Sequence, residues 1–255
     1  MRLLINILFT SFLFSLTALK SQAQSDSITA INYILRLPLV LGDKQYFDFG
    51  DTTTIYYYQD LNVYQLPYTF DSSKTIYHVK ADTISDEHIL TEKRYNYFIY
   101  RQGSPKGIWY RSIDYPDSNR LLPVDSILKI KSPPPNLQSL IYSSNDTLIE
   151  TVSLNDIFIE KYIPKTKPDE SYNDTTVFYY SKSMSSIKYS LSPFLDSLKN
   201  AKLYRLRLAF NETYSQKYSI TMPQRDLVYE IVKLEFTNVN KMKLLIQRFK
   251  QDEMQ

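Results

Sequence analysis

The chain has 255 residues, with 30 Lys and Arg, 27 Asp and Glu, 23 tyrosines, four glycines and no cysteine. A formal net charge of +3 without a basic tract excludes the usual footprint of a nucleic-acid binder, and the absence of cysteine excludes disulfides and thiolate metal centres. This length can bury one sizeable core without covalent staples.

The first stretch, "MRLLINILFTSFLFSLTALKSQAQ", has the three parts of a cleavable secretory signal: Arg2, an apolar run from Leu3 to Leu19, and the exit Ser21-Gln22-Ala23. Asn6, Thr10, Ser11 and Ser15 interrupt the run and argue against a membrane span. No cysteine follows it, which excludes a bacterial lipoprotein anchor. The expectation is a signal peptide over 1–23 and a single β-rich domain over 24–255, exported to the periplasm, the cell surface or the medium. Loss of Arg2 and Lys20 lowers the net charge from +3 to +1.

Beyond the signal, alternation with a period of two dominates. In "ITAINYILRL", Ile31, Tyr33, Leu35 and Leu37 share one face while Asn32 and Arg36 share the other, which predicts a half-buried strand. In "TIYYYQ" the same period sends Tyr56 and Tyr58 to one side and Ile55 and Tyr57 to the other. Strands follow at "TIYHVK", "YNYFIYR", "GIWYRSI", "TLIETV", "DIFIEKYI", "TTVFYY" and "LVYEIVKLEF", rich in β-branched and aromatic residues. Between the first two of these, "SDEHILTEK" reads as a short helix capped by Ser85. The proline run in "KSPPPNL", residues 131 to 137, reads as a stiff loop within one domain. Ser192-Pro193 before "FLDSLKNA" offers an N-cap and a first-turn proline, predicting about two turns of helix. "KLYRLRLAF", the turn at Asn211-Glu212-Thr213 and "KYSITM" together read as a hairpin. The tail fits two periods: Met242, Leu245, Ile246 and Phe249 are spaced for a helix, and Met242, Leu244 and Ile246 for a strand.

The predicted class is therefore all-β or strand-dominated: an antiparallel curved sheet, barrel-like or sandwich, with one or two short helices. A membrane barrel is disfavoured, because the tail "RFKQDEMQ" is polar and the strands carry charge on what would be the lipid face.

Sites are few. The two histidines, His78 and His88, lack the clustered partners a metal needs, no Gly-x-Ser-x-Gly elbow is present, and four glycines make no phosphate loop. No catalytic residue, cofactor or metal ligand is assigned. The candidate ligand or partner surface is Tyr56, Tyr58, Tyr64 and Trp109, the last being the one large stacking residue. Most other tyrosines are expected to be sheet residues, with rings packed and hydroxyls reaching water or a partner.

Asp followed by Ser or Thr recurs, placing Ser27, Thr52, Thr83, Ser126, Thr147, Thr175 and Ser197 each after an aspartate. Such pairs cap turns through side-chain to backbone hydrogen bonds. The pattern also resembles the O-glycosylation acceptor of exported proteins in some Gram-negative bacteria.

The order of a signal, an opening strand, "FDFGDTTTIYYYQD", and a late proline followed by "LVYEI" resembles the GLPGLI family of exported bacterial β-rich proteins. Gln224, Arg225 and Asp226 stand where that family's hexapeptide has glycine and leucine. The resemblance implies export and β-rich architecture, favours a strand for the tail, and brings no catalytic residues. The expected function is a non-catalytic envelope protein that binds or carries an apolar, amphipathic or glycan ligand, or meets an envelope protein partner. A secreted hydrolase with a carboxylate site is the alternative.

Overall fold

The computed structural model describes residues 27–40, 46–78, 83–114, 119–131, 146–167, 172–216, 219–235 and 239–254. The segment 1–23, the proline run Pro133–Pro135 and the side chains of His78 and Thr83 lie outside the described residues.

In chain order the strands are β1 Thr29–Val40, β2 Tyr46–Tyr58, β3 Leu61–His78, β4 Thr83–Arg101, β5 Lys106–Tyr110, β6 Asn119–Pro123, β7 Asp146–Leu154, β8 Ile157–Pro164, β9 Thr175–Ser181, β10 Lys202–Phe210, β11 Thr213–Ser215, β12 Ile220–Met222 and β13 Arg225–Leu234. Three helices accompany them among the described residues: α1 Val124–Lys131, α2 Pro193–Lys199 and α3 Val239–Asp252. Eleven strands join in the order β6-β5-β4-β3-β2-β1-β13-β10-β9-β8-β7, and β11 and β12 form a separate pair. β6 and β7 end that order, so the large antiparallel sheet is not closed into a barrel.

The chain divides into two compact units. The first draws on Ile55–Val124 and Glu235–Gln255, with the segment through Ala30. Here β3 to β6 run as an antiparallel meander. Left-handed backbone makes the turn into β3 at Gln59 (φ 54°) and the turn between β4 and β5 at Gly103 (φ 82°). Directly opposed residues in such a ladder share a face. Leu61, Val63, Ile99, Ile108 and Tyr110 are buried on one face. The helix α3 lies over this face. It buries Met242, Leu245, Ile246 and Phe249, and Tyr110 Oη donates to Asp252 (2.9 Å) while Arg101 Nη2 donates to Glu253 (2.7 Å). Burial, with the Asp252 carboxylate beside it, pushes the Tyr110 hydroxyl far above its usual pKa. On the opposite face Tyr64, Leu66 and Phe98 are buried. Gly107 is required there: a Cβ would stand 2.6 Å from both the Ile99 carbonyl oxygen and Phe98 Cζ.

The second unit draws on Ile31–Thr54 and Asp125–Leu234. Its core holds Phe178, Tyr180, Leu195 and Leu206, all fully buried, with Ile31 and Tyr33 from β1. Helix α2 starts where expected, with Ser192 Oγ accepting from Leu195 N (3.3 Å), and ends on left-handed Asn200. Charges are paired along the sheet. Arg205 faces Glu230 at 3.8 Å, Arg207 meets Asp226 at 2.9 Å, Lys202 meets Asp196 at 2.7 Å and Lys199 meets Glu160 at 2.6 Å.

Three expectations are corrected. "SDEHILTEK" is not helical. It lies in β4, where Ser85 to Leu90 pair with β3 around a bulge at Ser72/Ser73, so sheet pairing overrides the local cap. β10 does not form a hairpin with β12. Among the described residues it pairs with β9 and β13, and β12 pairs with the short β11. The tail is helix and not strand: the buried residues of α3 are the four at helical spacing, while Leu244 is exposed.

Candidate functional site

In the first unit the register assembles one row of polar and aromatic side chains. Tyr68 opposes Arg94 and Leu66 opposes Asn96 across β3 and β4. Phe98 opposes Trp109 across β4 and β5, and Trp109 opposes Arg120 across β5 and β6. Alternation along β5 carries Arg111 to the face of Trp109. Pairing of β5 with β4 stops at Tyr97 and Tyr110, and the chain from Arg111 to Asp114 departs from the longer β4.

That departure opens two concavities sharing the walls Tyr68 and Arg111. One, of about 680 Å³, also takes in Tyr95, Tyr97, Ser112 and Asp114. The other, of about 350 Å³, takes in Asn96, Trp109, Asn119 and Arg120. The charges around them differ in state. Arg94 lies over the Phe70 ring at 3.6 Å and pairs with Glu92. Lys241 donates to Asp114 at 3.2 Å. Arg111 and Arg120 are exposed and have no hydrogen-bond or ion-pair partner among the described residues. Burial, followed by the charges of Asp114 and Tyr95, pushes the Tyr97 hydroxyl up to about 12. It therefore stays neutral near pH 7 and is able to donate.

The second unit has a notch of about 560 Å³ lined by Arg36, Phe49, Arg205, Arg225 and Asp226 among others. Most of its charge is already committed: Arg225 stacks on Phe210 at 4.8 Å and Asp226 is held by Arg207.

The four expected surface residues do not come together. Tyr56 is buried with its hydroxyl on Gln65 Oε1 (2.6 Å), and Tyr64 is buried 6.1 Å from the Tyr100 ring. Tyr58 is half-buried with the Lys250 ammonium 5.2 Å from its ring. Of the four, Trp109 alone lines either of these two concavities. Arg111 and Arg120 were missed because arginines on alternating strands look solvated until pairing is known, although "GIWYRSI" does put Trp109 and Arg111 on one face.

Of the residues following aspartate, Ser27, Thr52, Ser126, Thr147 and Ser197 are exposed and Thr175 is half-buried. Their settings vary. Thr147 and Thr175 stand at strand starts, Ser126 sits in the first turn of α1, Ser197 in the second half of α2, and Thr52 lies within β2. The described side-chain to backbone bonds of these aspartates reach beyond the local turn: Asp174 accepts from Asn211 N (2.7 Å) and Asp196 from Leu203 N (2.7 Å). His88 is exposed, within 2.7 Å of Thr91 Oγ1 and 3.8 Å from Asp71. The described residues contain no metal-binding cluster, and none of their helices is long and apolar enough to cross a membrane.

No protein-family model and no curated protein matches the chain. Among solved structures, a candidate outer membrane lipoprotein-sorting protein domain from Vibrio parahaemolyticus aligns over 89% of this chain and 96% of its own, at 12% identity and a TM-score of 0.21.

Proposed function

We propose that this protein is an exported binding protein of the cell envelope that works without catalysis, its ligand seated in the notch beside Trp109. The observation that carries the reading is the pair Arg111 and Arg120: two guanidinium groups, unpartnered among the described residues, beside aromatic side chains at a concavity. Binding sites combine aromatic walls with a few convergent polar groups, and this notch has that composition. A closed apolar carrier cavity is less well supported, since the helix-covered face of the same unit is filled by its own side chains.

Trp109 is the single tryptophan of the chain, so its emission reports on this site alone. The test is to add fractions of the protein's own envelope extract to purified protein, following tryptophan emission and the native mass. A change in emission with a mass gain lost on denaturation is expected. Unchanged emission and a bare-chain mass with every fraction overturn the reading. Hexose-sized increments that survive denaturation would mark the exposed Asp-Ser/Thr positions as modified.

A further inference from the structure

We infer that the ligand of this notch is an anionic saccharide, a sugar chain carrying carboxylate groups, with a ring on Trp109 and an acid group between Arg111 and Arg120. The inference rests on the reading above that the notch is a binding site.

Three features define the chemistry. First, Trp109 and Tyr68 are half-buried side chains on one sheet face, forming a platform on which the C–H face of a sugar ring packs. Second, Asn96 lines the same concavity on the face of Trp109, and its carboxamide offers both donors and an acceptor for the hydroxyls that every sugar ring displays. Asn119 opposes Tyr110 and donates to Asp252 (2.9 Å), so its amide belongs to the helix-covered face. Third, the charge is positive. Arg94 is neutralised by Glu92 and Asp114 by Lys241, which leaves Arg111 and Arg120 as the pair without a counter-charge among the described residues of this notch. A guanidinium presents a planar fork matched to carboxylate geometry.

Single-stranded nucleic acid also stacks on sheet-face aromatics, but it requires a positive groove that tracks a phosphate at each nucleotide. Here the notch offers Arg111 and Arg120, without partners among the described residues, in a chain of nearly balanced charge. The two adjoining concavities, about 680 and 350 Å³, suit an occupant of more than one ring.

The experiment uses three probes on the full protein: a short oligogalacturonate, its fully methyl-esterified form and a single-stranded oligonucleotide of equal charge. Binding is followed by Trp109 emission and by calorimetry. The oligogalacturonate is expected to bind. The methyl ester, which keeps the rings and removes the charge, should bind at least about tenfold more weakly. Arg111→Gln and Arg120→Gln should each weaken binding about tenfold, the loss of one charge-assisted hydrogen bond. Trp109→Phe, read by calorimetry, should weaken both sugars alike. The arginines are exposed, so these variants should keep the parent's circular dichroism, and one that does not is replaced by Arg→Lys. Equal binding of acid and ester, or of the oligonucleotide, overturns the inference. If the oligogalacturonate is silent while an envelope fraction still shifts Trp109 emission, the saccharide inference falls and the binding reading stands. If no fraction shifts it either, both fall.

Discussion

The two units use arginine differently. In the second unit Arg205 and Arg207 face Glu230 and Asp226 across neighbouring strands. In the first, Arg111 and Arg120 face an open concavity beside Trp109 and have no partner among the described residues. Opposite charges across a ladder reinforce strand pairing. A cation left over at a concave wall adds nothing to the sheet and is available to a ligand. Arg36 is the counterexample that bounds this lesson. It too lacks a partner among the described residues, yet it shares its notch with arginines already engaged.

The largest effect expected is alkaline unfolding. Burial raises the hydroxyl pKa of Tyr56, Tyr57, Tyr97 and Tyr110 in the first unit, and of Tyr33 and Tyr229 in the second. In the unfolded chain these groups ionise near pH 10. A group raised in the folded state gives stability that is complete below the unfolded pKa and lost as pH rises towards the folded one. Phenolate absorbance and circular dichroism should therefore change together, cooperatively, above about pH 10. Simple ionisation at pH 10 with the fold intact would refute the burial account. Because the first unit holds more of these groups, its amides should lose exchange protection first.

Next comes the anchor of α3. Phe249→Ala should cost about 3–5 kcal/mol, read as a lower denaturant midpoint. Native-state hydrogen exchange should show β3 to β5 losing protection while β9 and β10 keep theirs; equal loss in both would erase the contrast between the units.

The arginine contrast predicts smaller and opposite outcomes. Arg207→Gln should destabilise by about 0.5–1 kcal/mol and leave ligand binding unchanged. Arg111→Gln should stay within about 0.5 kcal/mol of the parent and weaken binding about tenfold. A stability loss at Arg111 as large as at Arg207 would make it a sheet residue.

The smallest effect lies at low pH. Burial opposes the charge of Asp60, but its hydrogen bond and ion pair with Arg101 outweigh that and hold the carboxyl below its ordinary value. Asp174 is held down likewise by Lys167 and Asn211. Groups lowered in the folded state contribute above the ordinary carboxylate pKa of about 3.9 and lose that contribution as pH falls below it. A melting temperature that falls modestly below pH 4 is expected, and one that rises would reverse the sign.

Alternation made the strands legible because it is local. "TTVFYY" became strand throughout, "GIWYRSI" as far as Tyr110 and "LVYEIVKLEF" as far as Leu234, and Ser192-Pro193 opened a helix as written. Partnership was not legible. "KLYRLRLAF" carries no sign that it lies between β9 and β13, residues before and after it in the chain. "LNVYQLPYTFDSSKTIYH" hides one 18-residue strand behind Pro67 and the turn-like Asp71-Ser72-Ser73, which a bulge absorbs. The notch depends on where β5 stops pairing with β4, which no single segment records. Trp109 was visible because only one tryptophan exists; its two arginines needed the register.

The strand order also sets a schedule for assembly. β1 lies beside β13, and the first unit lacks its covering helix until residues 235–255 are present. Each unit joins early residues to late ones, so during synthesis neither half is able to finish ahead of the other. Bringing such distant segments together requires closing long loops before any pairing compensates, which makes folding slow. Until then the apolar face beneath α3 is uncovered, and the growing chain must be protected from its neighbours.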